Sequence, residues 1–157
     1  MKADQNELLT RIGPGTPCGA VLRSYWQPVA LVDEFDPALD PRMAQRPLKA
    51  VRILGQDLVL FRDAQGAVHA WEDRCPHRGT RFSIGRIHEG KVVCAYHAWE
   101  FQPSGQCTFI PARPSTSPPP RYARAAMRPR SNTASPGSAW VPRRRTCCLS
   151  PSMPTPA

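Results

Sequence analysis

No stretch of this 157-residue sequence approaches the roughly 18 consecutive apolar residues that cross a bilayer, so no membrane partner is expected. Nor does an apolar run follow a basic start. Met1-Lys2-Ala3-Asp4-Gln5-Asn6-Glu7 opens polar, so no secretory signal is expected and the expected compartment is the cytoplasm. Residues 111–157 lack Asp, Glu, Lys, His, Ile and Phe altogether, yet hold 8 Arg and 11 of the 19 prolines. Such a stretch buries too little apolar surface to offset its ordering entropy, so a disordered Pro/Arg-rich tail is expected over 114–157. Arg, Pro, Ala, Ser and Thr also accumulate when GC-rich DNA is read out of frame. A frameshift near codon 111 is therefore weighed beside a natural basic tail.

The absence of acid from that tail also explains the net charge of +9. Residues 1–110 hold 13 Lys and Arg against 12 Asp and Glu, a balance of +1. The basicity belongs to one segment and not to a folded face, so no nucleic-acid partner is expected.

What remains is an ordinary globular sequence of one-domain length. Residues 1–47 read as a helical and loop segment. Gln5 to Arg11 suits a short helix, stopped by Gly13-Pro14-Gly15. Thr16 is placed to cap a second helix, with Pro17 at its first position. Val29 to Val32 suits a strand, and Asp36 to Pro47 a surface loop. From Leu48 the apolar period becomes two. Strands are expected over 48–54, 58–62, 67–72, 91–94, 98–102 and 107–110, with turns at Gly55-Gln56, Ala64-Gln65-Gly66 and Ser104-Gly105. The expected fold is mainly β, a small antiparallel β-sandwich or barrel over 48–113 with short N-terminal helices.

Two segments interrupt this meander, and they carry the metal-binding residue types. Cys75-Pro76-His77 is followed, after 16 residues, by Cys94-Ala95-Tyr96-His97. Two thiolates and two imidazoles suit either tetrahedral zinc or an iron–sulfur cluster. Structural zinc sites usually group cysteines with cysteines and histidines with histidines along the chain. Here each half offers one of each, the pattern of a Rieske-type [2Fe–2S] cluster, in which two His replace two Cys on one iron. The candidate cofactor and metal ligands are Cys75, His77, Cys94 and His97. Cys18 and Cys107 lack partners at ligand spacing and read as small buried apolar residues.

Asp73-Arg74-Cys75-Pro76-His77-Arg78-Gly79 and Cys94-Ala95-Tyr96-His97-Ala98-Trp99-Glu100-Phe101 resemble the cluster loops of Rieske non-haem iron ring-hydroxylating oxygenases. Respiratory Rieske proteins carry an additional cysteine in each loop, where this chain has Thr80 and Tyr96. Arg11-Ile12-Gly13-Pro14-Gly15-Thr16-Pro17, Tyr25-Trp26-Gln27-Pro28-Val29 and Leu58-Val59-Leu60-Phe61-Arg62 resemble the phthalate 4,5-dioxygenase-like group of oxygenase components. The resemblance covers residues 5 to about 113. It implies one-electron transfer through the cluster, a reductase as electron donor, and a homo-oligomer in the full-length family. It also implies aromatic ring hydroxylation at a mononuclear Fe(II) held by two His and a carboxylate, in a C-terminal domain. The last acid here is Glu100 and the last His is His97, so no catalytic residue is expected in this chain.

The family usually has Pro and Gly where this chain has Ala95 and Ala98. If that Gly sits at positive φ, Ala98 costs on the order of 1–2 kcal/mol. Backbone N–H groups around His77-Arg78-Gly79 and Tyr96-His97-Ala98 are expected to donate to sulfur. Trp99 and Phe101 read as core residues, and Arg78, Arg81 and Arg86 as solvated loop charges or a docking surface. Two other readings stand beside the oxygenase fragment: a complete small Rieske ferredoxin, and a zinc-binding module with a basic nucleic-acid-binding tail.

Overall fold

The computed structural model describes residues 2–25, 27–122, 126–127, 129–132 and 146–149. Its framework is a set of antiparallel strands. Strands β2 (Lys49–Ile53), β3 (Gln56–Arg62) and β4 (Val68–Glu72) form a meander, joined at the β4 edge by β9 (Ala126–Met127). Strands β5 (Arg86–His88), β6 (Lys91–Val93), β7 (Glu100–Phe101) and β8 (Cys107–Phe109) form a second meander. A third sheet pairs β1 (Gln27–Leu31) with β11 (Thr146–Leu149) and β11 with β10 (Pro129–Asn132).

Two tight hairpins set the registers. Leu54 and Gly55, between β2 and β3, both have positive φ (48° and 73°), as do Glu89 and Gly90 (49° and 74°) between β5 and β6. Turns of that kind match the twist of the flanking strands. The first turn is therefore Leu54-Gly55, one residue earlier than the sequence suggests. Strand β5 was not foreseen, because Arg86-Ile87-His88 holds a single apolar residue between two polar ones and directly follows the first Cys/His loop.

The two faces of β3 are both buried. Val59 and Phe61 point into one core with Trp71, Phe82, Val92 and Phe101. Leu58 and Leu60 point into another with Phe35, Met43 and Ala70. That second core explains a difference from expectation. The 36–47 segment is not only a surface loop, because its one-turn helix α3 (Arg42–Gln45) seats the buried Met43 on the outer face of the sheet. Trp71 is fully buried and meets Phe61, Phe82 and Phe101 edge-on at 4.8, 5.4 and 6.4 Å.

The N-terminal helices follow their caps. Helix α1 covers Ala3–Thr10, and α2 covers Pro17–Arg23. The Thr16 hydroxyl accepts from the Gly19 N–H at 3.2 Å, as the Thr-Pro start predicts. Arg23 at the end of α2 donates to the Leu54 carbonyl at 2.6 Å, which ties the helices to the first hairpin.

At the other end, residues 111–117 are exposed, and the chain returns to the body at Tyr122. Tyr122 packs on the main core, and three short strands lie farther along. Edge strands with unpaired N–H and C=O groups accept such additions. The rest of the tail expected to be disordered lies outside the described residues.

Candidate metal centre

The loop after β4 carries Cys75 and His77, and the loop after β6 carries Cys94 and His97. Though their sequences differ, the two loops fold alike. The N–H of Gly79, four residues after Cys75, donates to the Cys75 carbonyl at 2.8 Å; the N–H of Ala98, four after Cys94, donates to the Cys94 carbonyl at 3.0 Å. The Cys75 N–H donates to the Thr80 carbonyl at 2.8 Å, and the Cys94 N–H to the Trp99 carbonyl at 3.0 Å. Both loops turn through a positive φ at the same step, 72° at Gly79 and 54° at Ala98. Ala98 thus occupies the left-handed conformation that glycine adopts without strain. A Cβ on Gly79 would also meet the Arg74 Nε at 3.1 Å.

Further contacts place the loops side by side. Gly85 comes so close to β6 that a Cβ there would lie 2.3 Å from the Val93 carbonyl oxygen. The buried carboxylate of Asp73 holds Ser83 through two hydrogen bonds, closing the first loop at its base.

The four side chains divide into two pairs. The Cys75 and Cys94 thiols lie within hydrogen-bonding reach of each other, and both residues belong to the core that contains Trp71 and Phe82. The His77 and His97 rings lie farther out, centroids 4.7 Å apart at 62°. Among the described residues, no three His, Cys, Asp or Glu side chains are arranged to hold a single metal ion. A thiol pair inside and an imidazole pair outside is the division a two-iron cluster needs, whereas one tetrahedral zinc needs all four donors at one point.

The electrostatics favour an anion on one sulfur of the pair. The Cys94 thiol is lowered to about 6, first by the hydrogen bond from Cys75 and then by N–H groups of Tyr96 and His97. The Cys75 thiol is pushed up, first by that shared proton and then by burial, against the N–H groups of His77 and Arg78. Each sulfur thus has two backbone donors in its own loop, near the positions the sequence suggested. Burial, together with the charges of His97 and Arg78, holds His77 below the usual imidazole value, favouring the neutral ring that binds metal.

The surroundings were only partly foreseen. Trp99 is buried, as its strand position implied, but it lies flat on the His77 ring, with centroids 4.2 Å apart and an interplanar angle of 10°. Tyr122 meets Trp99 edge-on at 4.8 Å. A cavity of about 470 Å³ borders His77, His97, Trp99, Arg113 and Tyr122. Tyr96 is exposed over His97. Arg81 pairs with Asp57 at 3.2 Å, while Arg78 and Arg86 are exposed. His69, given no metal role, pairs with Asp63 at 2.6 Å. The Cys107 thiol is pushed up by burial and sits in the core, as expected of a structural cysteine.

Two antiparallel sheets presenting paired Cys/His loops at one end define an iron–sulfur electron carrier. The chain belongs to the Rieske [2Fe–2S] domain family, whose model matches residues 25–123. Its cofactor is a Rieske-type [2Fe–2S] cluster, and one-electron transfer is the function the family supports. This disfavours the zinc-module reading.

The chain is 38% identical over 122 residues to the 5,5'-dehydrodivanillate O-demethylase oxygenase subunit of Sphingobium sp. (strain NBRC 103272 / SYK-6), covering 78% of this chain and 27% of that one. It is 33% identical over 114 residues to the phthalate 4,5-dioxygenase oxygenase subunit of Pseudomonas putida, covering 73% of this chain and 25% of that one. The crystal structure of dicamba monooxygenase with non-heme iron and dicamba superposes with a TM-score of 0.66 at 26% identity, over 85% of this chain and 34% of that one. The chain thus spans about a quarter of the length of the curated relatives it matches. These relatives are oxygenase subunits, which disfavours the small-ferredoxin reading.

Proposed function

We propose that Cys75 and Cys94 hold one iron of the cluster and His77 and His97 the other, so that each loop contributes to both irons. The observation that carries this is the division of the four side chains into a buried thiol pair and an outer imidazole pair. The cluster supplies a site that takes up and gives back one electron. The protein supplies the rest. The core around Trp71 and Phe82 keeps water from the sulfur side. The N–H groups of His77, Arg78, Tyr96 and His97 stabilise negative charge on sulfur. The outer imidazoles bring the centre to the surface, where an electron can leave.

In the same reading, the chain is the electron relay of an oxygenase component. A reductase supplies the electron, an oligomer is the working form, and an aromatic compound is the final substrate. The names of two relatives, oxygenase subunits acting on 5,5'-dehydrodivanillate and phthalate, support the relay and the aromatic substrate. Residues 101–157 contain no His, Asp or Glu, so a site of two His and a carboxylate finds no donors in this stretch. Residues 48–113 are the proposed cluster-bearing unit, with 1–47 packed against it.

The test is reconstitution of the full chain with iron and sulfide. A brown protein with a rhombic paramagnetic signal on reduction is expected. Cys75→Ser, Cys94→Ser, His77→Ala and His97→Ala should each abolish that signal, while Cys18→Ser should keep it. A colourless zinc-loaded product, or a signal that survives loss of any of the four, overturns the assignment.

A further inference from the structure

The two outer imidazoles are held differently. His97 is exposed, and its neighbour Tyr96, at 3.9 Å and 34°, is itself 61% exposed. That contact gives the His97 ring no buried, parallel partner of the kind His77 has. His77 is half-buried and lies nearly parallel to the Trp99 indole. Trp99 is only 7% exposed and is fixed on several sides. It packs in the main core with Trp71, Phe82 and Phe101, and Tyr122 braces its edge. Its own carbonyl accepts the Cys94 N–H, so its backbone is part of the second loop's closure. The plane of a side chain from the first loop is therefore set by a rigid ring from the second.

We propose that Trp99 is a positioning residue of the metal centre: its stacked indole fixes the plane of the His77 imidazole and shields that face from water. This rests on His77 being a ligand. A histidine–metal bond leaves the ring free to rotate about the bond axis, and ring orientation governs how strongly its nitrogen orbitals mix with the iron. A flat neighbour at van der Waals distance removes that freedom. A core residue that merely fills space would not need its ring parallel to the imidazole. Shielding matters as well. Taking up an electron adds negative charge to the centre, and water beside the imidazole favours that charge. The cavity already bordering His77 and Trp99 would grow if the indole were removed, bringing water to the ring.

The experiment compares Trp99→Phe, which keeps a flat ring, with Trp99→Leu, in the cluster-loaded full chain. The midpoint potential, the histidine-nitrogen couplings from pulsed paramagnetic resonance, and the melting temperature are measured for each. Trp99→Phe is expected to retain the wild-type potential and two distinct, narrow nitrogen couplings. Trp99→Leu is expected to raise the potential and broaden one of the two couplings. Equal potentials and couplings in the two variants overturn the proposal and leave Trp99 a core residue. If Trp99→Leu does not load, Trp99→Phe decides: wild-type potential and couplings in that variant support positioning by a flat ring, and a potential or coupling that departs from wild type overturns it. His77→Ala separates this from the ligand assignment, since a rhombic signal surviving in that variant defeats the assignment itself.

Discussion

Asp73 and Ser83 are joined twice: the buried Asp73 carboxylate accepts the Ser83 N–H at 2.8 Å and the Ser83 hydroxyl at 2.6 Å. The pair brackets Cys75 and His77 and fixes the base of their loop. Asp73→Ala leaves a half-buried N–H without its acceptor and is expected to cost about 3 kcal/mol, the range for hydrogen bonds to a charged group. Ser83→Ala removes only the hydroxyl and should cost about 1 kcal/mol. Urea denaturation of the two variants checks the ratio, and iron retention checks that the larger loss also loosens the cluster.

Gly79 and Ala98 occupy equivalent steps of their loops but differ in strain. Ala98→Gly should stabilise the chain by about 1 kcal/mol, since it relieves a left-handed non-glycine residue. Gly79→Ala should do the reverse, costing about 1–2 kcal/mol, with crowding against Arg74 added. Thermal melting of both variants reads the opposite signs. A destabilised Ala98→Gly would show that the Ala98 methyl makes packing contacts worth more than the strain.

The Glu89-Gly90 hairpin carries the same signature at an exposed position. Asn tolerates positive φ better than Glu, and Asn-Gly is the favoured pair for such turns. Glu89→Asn is expected to raise stability by about 0.5–1 kcal/mol, with no change in the paramagnetic signal. Chemical denaturation monitored by tryptophan fluorescence measures it.

Asp63 gives the chain an acid-sensitive turn between β3 and β4. Its burial raises the carboxyl's proton affinity, but the hydrogen bonds from His69 and from the Ala67 and Gln65 N–H groups outweigh this and hold it below the usual value of 3.8. A carboxylate with a lowered folded value contributes stability that is present above its unfolded value and lost as pH falls through the folded one. Stability should therefore drop below about pH 4, and Asp63→Asn should flatten that part of the profile. Denaturation curves taken from neutral pH downward test it; an unchanged acid limb in Asp63→Asn would exclude this residue as the source.

Much of the architecture was legible because its signals are local. Alternating apolar residues marked β2, β3 and β4, Thr16-Pro17 marked the start of α2, and the Cys–His spacing singled out the four residues that the fold gathers. Long-range relations left no such mark. The single apolar residue of β5, Ile87, gives no period. Met43 looks like part of a proline-rich loop until Leu58 and Leu60 are known to need cover on that face. The alternation of Trp99 with Glu100 and Phe101 shows that the indole points inward but not that it meets His77, because the two lie on different loops. Tyr122 was assigned to the tail for the same reason: composition describes its neighbours in sequence, and its packing depends on an aromatic ring 23 positions earlier.

In the proposed assignment, Cys75 and Cys94 are core residues as much as they are cluster residues. An interior built around two sulfurs that hold iron is completed by the metal, so cluster loading adds to the stability of the fold. Cells starved of iron, or short of the machinery that delivers clusters, should then hold less of the polypeptide, because the unfilled form is open to proteases. For such a protein, nutrient supply sets the amount present as well as the activity per molecule.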